Sequence, residues 1–208
     1  MAQHAHQTDS KSGPIGALPS EELPEITSWE GFEHFVLSNP DRKWELYDGV
    51  VREKPGMSAE HNDTEIFLVG ELFRQLDRKA YRVRSDNAHI HRGPKSYYVP
   101  DVFVVPAAAV RRQLGRPGRL EVFNEPVLLV IEVWSRSTGR YDVNTKIPEY
   151  QQRGDPEIWR LHPYERTLTV WRRREDGTYE EATYHGGKVS PAFLPNVTID
   201  LDELFDFA

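Results

Sequence analysis

Residues 126–135 read PVLLVIEVWS. From Val127 to Val133 the run is apolar except for one carboxylate, Glu132, which is the pattern of a central strand covered on both faces. Residues 97–106, YYVPDVFVVP, repeat the arrangement, with Asp101 set among Val99, Val102, Phe103, Val104 and Val105. A charged, unpaired carboxylate in such a place is costly, so each acid needs compensation. An Arg or Lys partner would supply it, as would a strand end that reaches water. A third solution places Asp101 and Glu132 side by side on neighbouring strands, where a divalent cation relieves their repulsion. Ligands made only of oxygen suit Mg²⁺ or Mn²⁺.

Working outward, 208 residues with 38% hydrophobic content can bury a core as one domain. Residues 1–24, rich in Ser, Gly, Pro and His, read as a disordered leader, and 25–208 as a single domain. No apolar span of membrane length occurs, and MAQHAHQTDSKSG lacks the apolar stretch of a signal peptide, so a cytoplasmic setting without a membrane partner is expected. The absence of Cys excludes disulfides, thiolate chemistry and Cys-based zinc sites. A net charge of −7 argues against a general polyanion binder but leaves room for a local basic groove.

TSWEGFEHFVLSNP reads as a helix opened by a Thr27–Glu30 capping box. WELYDGVVREKP reads as a hairpin turning at Asp48-Gly49. SAEHNDTEIFLVGELFRQLDRK reads as an amphipathic helix capped by Ser58, with Ile66, Val69, Phe73 and Leu76 as its apolar stripe. Strands YRVRSDNAHI and YYVPDVFVVP follow, then a short helix AAAVRRQLG, the strand VLLVIEVWS and a polar turn. Pro148 fits only a first helical turn, so the helix KIPEYQQRG is expected to start at or after Thr145. EIWRLHP, TLTVWRRR and an edge strand GTYEEATYH complete an α+β (α/β sandwich) order: a mixed β-sheet flanked by helices.

Pro100-Asp101, the series E-V-W-S-R-S-T…D…K…Y from 132 to 150, and G-D-P-E-I-W after it together resemble the Uma-type restriction-endonuclease-like family of the PD-(D/E)XK nuclease superfamily. The resemblance runs over roughly residues 25 to 205 and includes the hairpin and the helix carrying His61. It implies a restriction-endonuclease-like core and metal-dependent hydrolysis of DNA phosphodiesters. Asp101 and Glu132 would be metal ligands, joined by the carbonyl of Val133. The superfamily often has Lys two residues after the Glu. Trp134 stands there, which leaves Lys146 as the catalytic lysine or as a solvated residue. The resemblance also allows Glu45 as a further acid and His61 as a substrate or carboxylate contact; a surface glutamate and a packing histidine are the plain alternatives. It implies a homodimer too.

Ser135, Ser137 and Thr138 are read as satisfying the turn after the Glu132 strand, Asp142 as bracing it, and Tyr150 as packing over Lys146. Arg111, Arg112, Arg116 and Arg119, or Arg172, Arg173 and Arg174, would line a phosphate groove or a solvated rim. Two alternatives stand beside the endonuclease. One is a non-catalytic binding or scaffold protein in which a basic residue neutralises each acid. The other is a metal-dependent hydrolase of RNA or small phosphodiesters.

Overall fold

The computed structural model describes residues 23–207, so the leader expected over 1–24 lies almost wholly outside the described residues. In chain order the elements are α1 (Trp29–Ser38), β1 (Lys43–Tyr47), β2 (Val50–Lys54), α2 (Ala59–Gln75), β3 (Tyr81–Ser85), β4 (His89–Arg92), β5 (Ser96–Tyr98) and β6 (Val102–Pro106). There follow α3 (Ala107–Arg111), β7 (Val122–Phe123), β8 (Leu129–Val133), α4 (Gly139–Tyr141), a π-helical turn (Asp142–Lys146) and α5 (Ile147–Arg153). The chain ends with β9 (Glu157–His162), β10 (Thr167–Arg173), β11 (Tyr179–Tyr184), β12 (Lys188–Val189), β13 (Ile199–Asp200) and α6 (Leu201–Leu204).

Six strands form a sheet in the order β11-β10-β9-β8-β6-β3, and five form a second in the order β2-β1-β5-β4-β7; β12 pairs with β13. Both larger sheets are mixed: β8 runs parallel to β9 and β4 parallel to β7, while their other pairings are antiparallel. The fold is α+β, as the element order predicts.

The alternation of side chains along β8 sets where Glu132 points. Leu129, Ile131 and Val133 pack with Leu68 and Leu72 of α2 and with Leu201 and Leu204 of α6. Val130 faces the opposite layer, with Phe103, Val105, and Ile147 and Tyr150 of α5. Glu132 shares the parity of Val130 and so belongs to the α5 side. A third cluster seats α1, through Phe32, on Trp44, Leu46 and Val51 of the β1–β2 hairpin. The other face of that hairpin, carrying Lys43, Glu45, Tyr47, Arg52 and Lys54, is therefore turned away from α1.

Several expectations are corrected. Each of the two expected strands YRVRSDNAHI and YYVPDVFVVP is in fact two strands lying in different sheets. The first breaks at Asp86, which takes a left-handed φ of 60°, and the second at Pro100, which has no N–H to give a ladder. Helix α1 is capped by Ser28, whose Oγ accepts from the Gly31 amide at 3.1 Å, not by Thr27. Ser28 is the residue with extended backbone next to the first turn, so it alone can reach that amide. Ser58 caps α2 as expected.

Of the expected stripe of α2, Leu76 is buried in the core and Val69 packs against it, but Ile66 and Phe73 do not join them. Ile66 is 70% exposed and Phe73 45%, whereas His61, Thr64, Leu68 and Leu72 are buried. The buried face turns polar at its N-terminal end because that end meets the acids rather than the core, and an apolar-only reading slips sideways off it. Leu72→Ala should therefore cost about 2–5 kcal/mol of unfolding free energy, while Ile66→Ala stays within about 0.5 kcal/mol of the parent, both measured by urea denaturation.

The late helix also starts earlier than expected. Helical backbone begins at Gly139 and continues through the π turn, where Ile147 N–H donates to Asp142 O, an i→i−5 bond. The wider turn lets Pro148 sit in the first turn of α5 with no break in the helical path before it.

Candidate active site at the seam between the sheets

The two chain breaks lie at one level, where the chain crosses between the six-stranded and five-stranded sheets, and each delivers an acid. Asp86 and Asp101 meet there around a lysine. Lys54 Nζ lies 2.5 Å from Asp86 Oδ1 and 2.6 Å from Asp101 Oδ1, and donates to the Val99 carbonyl at 3.2 Å. Asp101 Oδ2 accepts from the Val133 amide at 2.7 Å and lies 3.2 Å from His61 Nε2. Val133 thus meets Asp101 through its N–H, and His61 is a carboxylate neighbour in the first turn of α2. Burial pushes the Asp101 carboxyl up, but the Lys54 ammonium and the His61 hydrogen bond outweigh it and hold it far below the carboxylate range.

Glu132 has its own set of partners. Lys146 Nζ lies 2.8 Å from Glu132 Oε1, 3.1 Å from Glu45 Oε1 and 3.9 Å from Asp142 Oδ1, and approaches the Val99 carbonyl at 3.4 Å. Tyr150 donates its hydroxyl to the same Glu132 oxygen at 2.5 Å. So Lys146, for which a solvated position was the plain alternative, points inward and is buried, because the π turn rotates it onto the Glu132 face. Tyr150 reaches past it to the acid itself. Burial drives the Glu132 carboxyl well above its usual range, with Asp101 and Asp142 adding to the effect against Lys146. The Asp142 carboxyl, also buried, is pushed up to about 6.

Glu45 is buried rather than on the surface; besides Lys146 it accepts from the Val99 amide at 2.9 Å. The turn after β8 is braced as the sequence suggests. Ser135 Oγ meets both Ser137 and Thr138, and Thr138 Oγ1 donates to Asp142 Oδ2 at 2.9 Å. Trp134, two residues after Glu132, stacks on His162 with centroids 4.2 Å apart. Its indole also lies against Gly139, where a methyl group would collide with the ring, so glycine is required for the turn that leads to Lys146.

Glu45, Asp101, Glu132, Asp142, Lys54 and Lys146 line one cleft of about 500 Å³. Neither Arg cluster does. Arg116 and Arg119 border a different cleft, where Arg119 pairs with Glu33, and Arg172 pairs with Glu157. Arg136 is exposed. Lys54 and Asp86 were not singled out by the sequence. The available signal was strand parity, which puts Lys54 on the face of Glu45.

Around the seam the compact group of carboxylates able to hold a metal ion is Glu65, Asp86 and Asp101, whose ligand atoms lie within 4.8 Å of one another. Asp101 is common to this group and to the expected pair with Glu132.

Residues 29–202 match the family model Uma2, "Putative restriction endonuclease". The chain belongs to the Uma2 family. Among solved structures, it is similar to a putative nuclease belonging to DUF820 from Anabaena variabilis ATCC 29413. The two share 19% sequence identity and a TM-score of 0.64 over 78% of this chain and 89% of that one. At that identity the likeness speaks for the fold. Comparison with curated proteins returned no match. Among the described residues of this Uma2 chain, no helix is long and apolar enough to cross a membrane.

Proposed function

We propose that this Uma2 chain is a divalent-metal-dependent endonuclease that hydrolyses DNA phosphodiester bonds, working as a homodimer whose paired sites cut two strands. One observation carries the reading. Four buried carboxylates, Glu45, Asp101, Glu132 and Asp142, share a solvent-connected cleft with only two enclosed ammoniums, Lys54 and Lys146. The crowding of carboxyls, in which burial and neighbouring acids push Glu132 and Asp142 toward their neutral forms, and the all-oxygen donor set fit Mg²⁺ or Mn²⁺, which would relieve that pressure. Asp101 and Glu132, with the Val133 carbonyl, would hold the ion, and the Glu65–Asp86 side of the seam offers further oxygens next to Asp101. Such an ion, when bound, polarises a phosphate and lowers the pKa of a water.

The chain's own groups supply the rest. Lys146, anchored on Glu132 and Glu45, presents an ammonium that orients a nucleophilic water or meets charge developing on a phosphate oxygen. Tyr150, His61 and the Val133 amide fix the carboxylates through hydrogen bonds, the outer support on which ligand placement depends. The pairing of each acid with its own lysine is what the non-catalytic reading expects, and that reading needs no ion. Incubation with duplex DNA separates them. Cleavage should require Mg²⁺ or Mn²⁺ and stop on chelation, with RNA and small phosphodiesters run as competing substrates. No cleavage of any of these, together with no metal binding by calorimetry, would hand the site to the scaffold reading.

A further inference from the structure

Among the described residues three cations line the cleft, and two of them are committed to carboxylates, Lys54 to Asp86 and Asp101, and Lys146 to Glu132 and Glu45. Arg52 is the exception. It lines the same cleft and its side chain is exposed, yet among the described residues no carboxylate lies within ion-pair distance of it. Its directly opposed residue on β1 is Glu45, on the same face of the hairpin and the natural partner by cross-strand pairing. But the Glu45 carboxylate is drawn inward, to Lys146 Nζ and the Val99 amide. Arg52 is left with its charge facing the opening.

What holds it is aromatic. The guanidinium carbon lies 4.9 Å from the ring centre of Tyr141 and 5.8 Å from that of Tyr47. The two tyrosines meet nearly edge to face, 6.2 Å apart at 81°. One comes from β1 and the other from the turn that leads to Lys146, so the platform ties Arg52 to both walls of the site. A guanidinium stacked on a ring keeps its in-plane N–H groups free, the geometry that meets two phosphate oxygens at once. Beside it, the Tyr141 hydroxyl is buried without a hydrogen-bond partner among the described residues, and Tyr141 lines the cleft.

We infer that Arg52 is a phosphate-binding residue of this cleft, presented by the Tyr47–Tyr141 platform. The inference rests on the nuclease reading for its substrate, a nucleic-acid phosphodiester. It explains how an acidic cleft on an acidic chain admits a polyanion: one unpaired, pre-oriented cation stands at its mouth.

The test is equilibrium binding of a short fluorescein-labelled DNA duplex to the full chain, in chelator, across a range of salt. Arg52→Met should weaken binding about tenfold and reduce the log–log salt slope by about one. Arg52→Lys should restore the slope but not the affinity, because a point charge neither stacks nor forks. Tyr141→Leu should approach Arg52→Met, whereas Tyr141→Phe keeps the platform and should lose only about two- to threefold. An unchanged affinity and slope in Arg52→Met overturns the inference, and so does a failure of the parent chain to bind duplex at any salt. Salt-dependent binding that Arg52→Met diminishes, with no metal-dependent cleavage by the parent, would sink the nuclease reading and leave Arg52 as a phosphate contact.

Discussion

Glu132→Gln should lower metal-dependent DNA cleavage by at least about 10²–10³-fold while leaving the fold as stable as the parent's, or slightly more so. The two halves of this expectation come from one cause. The Glu132 carboxyl is fully enclosed, and burial, then Asp101 and Asp142, push it toward its neutral form. A neutral amide of the same shape keeps an acceptor for the Tyr150 hydroxyl and for Lys146 and removes a charge that the interior resists. An acid that an amide could replace without loss of stability would owe its place to a use for the charge, and the proposed ligation of a cation is such a use. Asp101 is the more entangled acid, since it also neutralises Lys54 and accepts from the Val133 amide. Asp101→Ala leaves Lys54 to Asp86 alone and the buried Val133 amide without its acceptor, so its loss of activity mixes with a folding cost of about 1–3 kcal/mol. Asp101→Asn is the cleaner partner. Calorimetry should find Mg²⁺ or Mn²⁺ binding lost in both amide variants, and full cleavage by Glu132→Gln would remove it from the chemistry.

What the sequence disclosed follows from where each signal resides. Glu132 announces itself because six apolar residues in the run Val127–Val133 make a single acid conspicuous, and the strand Leu129–Val133 lies within that run. Asp101 was equally visible, though for a reason only half correct. It is not inside a strand but just past Pro100, at the crossing between two sheets, and the apolar residues on either side belong to different layers. Lys54, Arg52 and Tyr141 were not visible. Their role depends on which way the β1–β2 hairpin faces, and its alternation of Trp44 and Leu46 against Lys43, Glu45 and Tyr47 reads by default as core on one side and solvent on the other. The second side turns out to cover the acids. The helix carrying Lys146 was started too late by a rule about proline that holds for α-helices, and the π turn before Pro148 has no residue pattern that announces it.

Lys146→Met should be the most damaging single change for both folding and function. Its ammonium stands among Glu132, Glu45 and Asp142, and deleting it leaves three buried carboxyls facing one another, a loss of about 3–5 kcal/mol near neutral pH. The pH dependence carries a definite sign. The folded-state pKa of Asp142 is raised to about 6 from an ordinary value of 3.8, so the fold holds that proton more tightly than the unfolded chain does. Stability from this group is therefore greatest at low pH and is lost as pH rises from about 4 through about 6. Without Lys146 the upward push on Asp142 and Glu132 grows. The deficit of the variant relative to the parent should accordingly shrink as pH is lowered from 7 to about 5, read from thermal or urea unfolding at each pH. Added Mg²⁺ at neutral pH supplies a second route to the same compensation. If these carboxylates take a cation, the ion should recover part of the lost stability in a concentration-dependent way while cleavage stays depressed, because charge neutralisation is restored and the oriented ammonium is not. A variant as stable as the parent at pH 7, or one that Mg²⁺ leaves unchanged, would show that the carboxylates do not depend on a shared positive charge, and the case for a metal in the cleft would lose its footing.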